Sequence, residues 1–78
     1  MQALKKIYIS LLDEGTEVIR PTYGEALGND IFRVLPTNDY DPEIESWQFL
    51  PYSLVECISQ IREEEEIFLA DSLVQDAP

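Results

Sequence analysis

The residues that most often carry chemistry in proteins are scarce in this sequence. It contains no histidine and one cysteine, Cys57. Histidine is the commonest general base and metal ligand, and the usual partner of a catalytic serine or cysteine. Cys57 lies in a strand-like pattern between Val55 and Ser59, and no adjacent basic residue would favour its thiolate. We therefore expect no catalytic residues and no enzymatic activity, and we interpret Cys57 as a core residue.

Carboxylates are the one reactive group that the chain carries in excess. Four of them recur at alternate positions: Asp39, Asp41, Glu43 and Glu45. Ca²⁺ takes several oxygen ligands, but a calcium-binding loop starting at Asp39 would need glycine where Ile44 stands and glutamate where Leu50 stands. We predict a solvated acidic rim that holds no metal ion and no other cofactor. A second run, Glu63–Glu66, is typical of a polar hairpin tip.

The charge balance limits the partners. The chain has 16 acidic and 5 basic residues, which gives a formal net charge of −11. Nothing supplies a basic patch for DNA or RNA phosphates, or for an anionic membrane surface. The predicted partner is therefore a protein, with a basic surface as the natural complement. The sequence leaves the oligomeric state open.

Length and segment composition predict one small domain. The chain has 78 residues, near the lower end of what folds without a disulfide or a metal. The apolar run after Lys5 and Lys6 ends at Asp13, which is too short for a secretory signal or a membrane span. We expect a cytoplasmic protein in which residues 1–78 form a single domain, with its core at about residues 5–70 and a frayed tail at 71–78.

The stretch Thr16–Leu35 predicts two long strands that fold back on each other. Its second arm, Ile31–Leu35, is rich in β-branched and large apolar residues. The reversal falls at Gly28–Asp30, where Gly28 and Asn29 tolerate positive φ. Because proline has no N–H, we predict that Pro21 lies at an edge or bulge and bends the first arm into two pieces.

Shorter strands flank this hairpin. Ile7, Ile9 and Leu11 alternate with Lys6, Tyr8 and Ser10, a period of two that predicts a strand. Further strands are predicted at 44–50, 54–61 and 67–70. A helix over 54–69 is the main alternative, because several of its apolar residues have helical spacing. Five or six short strands with tight turns favour an all-β fold, a small closed or nearly closed barrel.

Four motifs spread over most of the chain carry a resemblance. They are Gly15-Thr16-x-Val18-x-Arg20-Pro21, Leu27-Gly28-x-x-x-Phe32-Arg33-Val34-Leu35, Tyr40-Asp41-Pro42-Glu43 and Trp47-x-Phe49-x-Pro51. With them the chain resembles a group of short bacterial proteins of unassigned function, and its layout is similar to Tudor-type barrels. The resemblance implies an SH3-like barrel of five to six short antiparallel strands. The chain departs from that pattern at Ile19, where tryptophan is expected, and at Pro51-Tyr52, where glycine is usual.

These observations predict a non-enzymatic acidic module that binds another protein. The predicted contact residues are Tyr40, Asp41, Glu43, Glu45 and Trp47. An aromatic and acidic surface of this kind suits an arginine or lysine side chain. The plainer interpretation of Trp47 and Phe49 is that they fill the barrel. The alternative function is an inhibitor or immunity-type protein that blocks a basic nuclease or nucleic-acid-binding partner by charge mimicry.

Overall fold

The computed structural model describes residues 3–76, and its secondary structure consists of β-strands. The six strands are β1 (Leu4–Leu12), β2 (Ile19–Gly28), β3 (Ile31–Val34), β4 (Ser46–Trp47), β5 (Leu54–Arg62) and β6 (Glu65–Gln75). The all-β prediction is confirmed. The alternative helix over 54–69 is wrong, because β5 pairs antiparallel with β6 from Leu54 to Arg62. Within residues 3–76, no helix is long and apolar enough to cross a membrane.

All six strands belong to one sheet that nearly closes on itself. Their order is β2-β3-β5-β6-β1-β4, and β1 also pairs with β2. Hydrogen bonding therefore runs in a ring through β1, β2, β3, β5 and β6, a barrel-like arrangement. The strands are antiparallel to their neighbours except for β1 and β6, which are parallel where Tyr8 meets Leu69. A ring of five strands cannot alternate in direction all the way round, so the predicted wholly antiparallel sheet is corrected at this pair.

The central hairpin forms where the sequence predicts it. β2 and β3 reverse at Asn29 and Asp30, whose φ angles are 54° and 63°. The predicted division of β2 at Pro21 is wrong, since the strand is continuous and Pro21 lies opposite Tyr8 of β1. β3 pairs with β2 only from Gly24 onward. At Pro21 the second side of β2 has no strand neighbour, so the missing N–H leaves no strand partner unpaired.

The core is built from alternate residues of the strands. Its buried members are Ile7, Ile9, Phe32, Val34, Trp47, Phe49, Val55, Cys57 and Ala70. Ile7 and Ile9 of β1 are fully buried, which confirms the period-two interpretation of that strand. Successive residues of a strand point to opposite faces, so a single sheet that curves round on itself encloses one set of side chains.

β4 is shorter than predicted, and β6 is longer. β4 contains only Ser46 and Trp47, which pair with Leu12 and Leu11 of β1. β6 extends to Gln75, five residues past the predicted end at Ala70. An extra residue in β6, Asp71, shifts the register opposite Glu56 and Cys57 and lets pairing continue. The predicted tail thus begins as strand, and its residues 77–78 lie outside the described part of the chain.

Gly24 supplies the sharpest test of this packing. A Cβ atom at this position would lie 2.9 Å from Ile7 Cδ1 and 3.0 Å from Phe32 Cβ. We expect Gly24→Ala to lower the free energy of unfolding by about 1–3 kcal/mol through overpacking, measured by urea denaturation. Gly15→Asn is the control, because Gly15 has φ of 76° and no atom within 4 Å of an added Cβ. Equal stability of Gly24→Ala and the parent chain would contradict the close approach.

Candidate interaction surface

The loop between β3 and β4 carries most of the predicted contact residues, and Asp41 organises it. The N–H groups of Ile44 and Glu45 both donate to the Asp41 carbonyl at 3.0 Å. The Asp41 carboxylate accepts a further hydrogen bond of 2.9 Å from the Glu43 N–H. A side chain that bonds to backbone two residues ahead is a common way to fix a tight turn. The Asp41 carboxylate therefore stabilises the conformation of the loop as well as contributing to its negative charge.

Trp47 supports this surface from within the core. Its exposed fraction is 3%. Its ring meets Tyr40 edge to face, with 4.7 Å between centroids and 67° between planes. Its Nε1 donates to Glu45 Oε1 at 3.2 Å. The interpretation of Trp47 as a core residue is confirmed, and its contribution to a surface is to hold Tyr40 and Glu45 in place.

Phe49 is buried as well, with an exposed fraction of 8%. The residues that alternate with Trp47 and Phe49 point outward, and the exposed fractions of Ile44 and Leu50 are 76% and 55%. The buried face of the 44–50 segment, which its alternation alone left undecided, is therefore the aromatic one.

Arg20 is the residue of this surface that the sequence analysis missed. Its guanidinium reaches from β2 and donates to both carboxylate oxygens of Asp39, at 2.7 and 2.8 Å. Its Nε lies 3.5 Å from Glu45 Oε1. Asp39 is 19 positions away in the sequence, so only the fold brings the pair together. The negative charge of this loop, which was expected to attract a basic residue of a partner, is therefore partly balanced by Arg20 of the same chain.

The local electrostatics of this pair follow from its geometry. The Thr37 hydroxyl and the Arg20 guanidinium lower the pKa of the Asp39 carboxyl below its usual value. In the opposite sense, Asp39 and Glu45 raise the pKa of Arg20. Both effects favour the charged forms, and together they tie the loop to β2.

Ile44 is the most exposed large apolar side chain among residues 3–76, at 76%. It lies next to Glu43, which is also exposed, on the turn that Asp41 fixes. The sequence analysis treated Ile44 only as part of a strand pattern. Its exposure was not readable from that pattern, because neither side of the 44–50 segment is wholly apolar.

All five basic side chains are engaged within the chain. Salt bridges join Arg20 to Asp39 and Glu45, Arg33 to Glu25, and Arg62 to Glu17. The Nζ atoms of Lys5 and Lys6 lie 3.8 Å and 5.5 Å from the ring centroids of Phe68 and Tyr8.

Most carboxylates, by contrast, face solvent. Those that are exposed and have no basic partner among residues 3–76 are Asp13, Glu14, Asp30, Glu43, Glu56, Glu63, Glu64, Glu65, Glu66, Asp71 and Asp76. No group of three or more histidine, cysteine, aspartate or glutamate side chains in residues 3–76 is arranged to hold a metal ion. The surface is acidic and its excess charge is not neutralised internally.

Cys57 has the environment of a core residue, as predicted. Its exposed fraction is 3%. Burial, followed by the negative charge of Asp30, raises the pKa of its thiol to about 12. A thiol held neutral in this way is a poor nucleophile.

Fold and surface together define a small, barrel-like all-β protein with an acidic exterior. Comparison with known proteins finds no family model, no curated protein and no solved structure that matches the chain. The resemblance to short bacterial SH3-like proteins therefore rests on the sequence motifs alone.

The Arg20–Asp39 pair generates a pH prediction. Because the pKa of Asp39 is lowered on folding, the pair stabilises the fold above the unfolded-state pKa of this carboxyl, and the stabilisation is lost as pH falls through the folded-state value. The stability difference between the parent chain and Asp39→Asn should therefore be largest near neutral pH and shrink in acid, measured by urea denaturation. Carboxyl NMR titration should show a higher Asp39 pKa in Arg20→Gln, whereas Arg33→Gln should leave it unchanged. An unchanged value in Arg20→Gln would assign the shift to Thr37.

The thiol of Cys57 should be inert in the folded protein. A pKa raised from 9.0 to about 12 lowers the thiolate fraction at pH 8 about a thousandfold. We expect a disulfide reagent to label the folded chain only as fast as the protein opens, and to label the urea-unfolded chain at once. Rapid labelling of the folded chain at pH 8 would show that Cys57 is accessible.

Proposed function

We propose that this chain is a non-enzymatic interaction module whose acidic surface binds a basic surface of another protein. The observation that carries the proposal is the distribution of charge: 11 of the 16 carboxylates are exposed and lack a basic partner among residues 3–76. Exposed charge of one sign attracts and steers a partner of the opposite sign. The burial of the only cysteine and the lack of histidine support a function without covalent chemistry.

The fold is consistent with the class of protein that the sequence resembles. A ring of five strands in so short a chain is consistent with an SH3-like barrel, and we propose that the chain belongs with the short bacterial proteins that it resembles. A single reduced cysteine suits the cytoplasm, where disulfides are rare. Because one fold can host many functions, the argument for binding rests on the surface and not on the fold.

We place the contact on the loop at residues 39–45, with Ile44 at its centre. Ile44 offers an apolar anchor, and Asp41 and Glu43 lie beside it. Binding energy at interfaces concentrates in a few anchors surrounded by a polar rim. The Arg20–Asp39 salt bridge and the Tyr40–Trp47 contact hold the loop in one conformation, which lowers the entropy lost on binding.

A second candidate function is inhibition of a nucleic-acid-binding protein or nuclease by charge mimicry. The observation that favours it is the run of carboxylates at the β5–β6 turn, where Glu63 and Glu64 have positive φ and all four side chains of Glu63–Glu66 are exposed. An exposed row of carboxylates resembles a run of phosphates, so it suits the basic groove in which a protein binds nucleic acid.

The test is affinity capture from a bacterial lysate with three versions of the chain. They are the parent, a loop variant with Ile44→Ser and Glu43→Gln, and a control with Leu4→Ser and Glu14→Gln. The control removes one exposed aliphatic residue and one carboxylate from elsewhere on the surface. We expect the parent and the control to capture the same partner. The loop variant should bind this partner at least about tenfold more weakly, and rising salt concentration should release it from all three.

The outcomes separate the alternatives. Equal capture by the loop variant and the control would show that the contact lies elsewhere. Binding that salt does not weaken would contradict the role of charge. A captured partner that duplex DNA displaces would favour charge mimicry over a general interaction role.

A further inference from the structure

Along its second half, from Ile58 to Arg62, one side of β5 has no strand paired with it. β5 is nine residues long, but β3 pairs only with its first three, Leu54–Glu56. The last bond to the β2–β3 hairpin runs from the Cys57 N–H to the Asp30 carbonyl, at 2.9 Å. On its other side β5 is paired with β6 as far as Arg62. From Ile58 to Arg62, therefore, β5 is an open edge within the described part of the chain.

The backbone of this edge has hydrogen-bonding groups to offer. Peptide groups alternate in direction along a strand, and the Cys57 N–H points toward the β3 side. The N–H and C=O groups of Ser59 and Ile61 thus point the same way, past the end of the hairpin. No loop in residues 3–76 makes a backbone hydrogen bond to either residue.

This edge carries two exposed apolar side chains. Ile58 and Ile61 are 40% and 67% exposed and point to opposite faces. Natural sheets usually protect an open edge with proline, lysine, a bulge or a covering segment. The segment Ile58–Arg62 contains neither proline nor lysine, and its one charged residue, Arg62 at the far end, is salt-bridged to Glu17. The register shift opposite Cys57 comes from the extra residue Asp71 in β6.

Charge decides what can add to this edge. Asp30 and Glu56 are exposed at one end of it, and the exposed run Glu63–Glu66 is at the other. A second copy of the chain would bring a further net charge of −11, so self-pairing is opposed by repulsion. A strand that carries lysine or arginine would be attracted to the same place.

We propose that the open edge of β5, residues 58–62, accepts an extended basic segment of a partner protein as an added strand. The inference rests on the proposed interaction function and specifies the conformation and charge of the partner's segment, at a surface other than the loop at residues 39–45. In this mode of recognition, main-chain hydrogen bonds give the affinity and alternate side chains give the specificity.

The test uses the full chain and defined peptides. The probe is a blocked peptide of alternating lysine and valine, about seven residues long. Its control has the same lysines with proline in place of valine, so that it keeps the charge but loses the N–H group of every second residue and has φ fixed at about −65° at those positions, which disfavours a paired strand. We expect the control peptide to bind at least about tenfold more weakly than the probe. The probe should also slow hydrogen exchange of the Ser59 and Ile61 amides.

A matched pair of protein variants isolates the backbone contribution. Ser59→Pro removes an N–H that points to the open edge and is not needed for pairing with β6. Ser59→Ala removes the hydroxyl, which hydrogen-bonds to Glu66, and keeps the N–H. We expect Ser59→Pro to weaken probe binding at least about tenfold and Ser59→Ala to change it less than about twofold. Should Ser59→Pro fail to fold, amide exchange in the parent chain decides the question.

Three results would overturn the proposal. The first is equal binding of the two peptides, and the second is unchanged exchange at Ser59 and Ile61 with the probe bound. The third is a dimer of the chain alone in sedimentation that Ser59→Pro converts to a monomer, because the occupant would then be a second copy. If probe binding fails while capture of a partner still depends on Ile44, the edge proposal falls and the interaction function stands.

Discussion

Closing a ring of five strands requires one parallel pair, and the structure meets this requirement at the contact between the first strand of the chain and the last. β1 and β6 share a single register pair, Tyr8 with Leu69. The same strand β1 pairs with β2 along seven residues and with β4 along two. Its inward side chains Ile7 and Ile9 are fully buried. β1 thus closes the ring by pairing with both β2 and β6, and it supplies two fully buried side chains to the core.

The acidic loop depends on β1 and β2 as well. β4 pairs with the end of β1 at two positions, and it carries Trp47 into the core. Trp47 then positions Tyr40 and Glu45, while Arg20 on β2 fixes Asp39. A loop without regular structure is in this way tied to two strands by the Tyr40–Trp47 contact, the Trp47–Glu45 hydrogen bond and the salt bridges of Arg20. The surface salt bridge contributes order to the loop more than stability to the fold.

The sequence predicts those parts of the fold that local chemistry determines. Alternation marks β1, and Asn29 and Asp30 mark the hairpin turn, because side-chain period and positive φ are properties of a few neighbouring residues. It could not predict the Arg20–Asp39 pair, the direction of β6 relative to β1, or the continuation of β6 past Asp71. Each of these depends on how distant segments meet, and the bend predicted at Pro21 was wrong for the same reason. A proline tolerated at an open edge looks identical in sequence to one that ends a strand.

The treatment of the sheet edges shows how charge and topology work together. β2 has an open edge at its beginning, and there Pro21 offers no N–H, while Leu35 bonds to the Tyr23 carbonyl and accepts from the Thr22 hydroxyl. The β5 edge has no proline or lysine, and its one charged side chain, Arg62, is paired with Glu17, so we attribute resistance to self-pairing there to repulsion between like-charged copies. Proline and the Leu35 contacts occupy the β2 edge, whereas at the β5 edge repulsion between copies would oppose self-pairing without excluding a strand of opposite charge. In the proposed mode of binding, the net charge of −11 would favour the approach of a basic strand to this edge over the approach of a second copy.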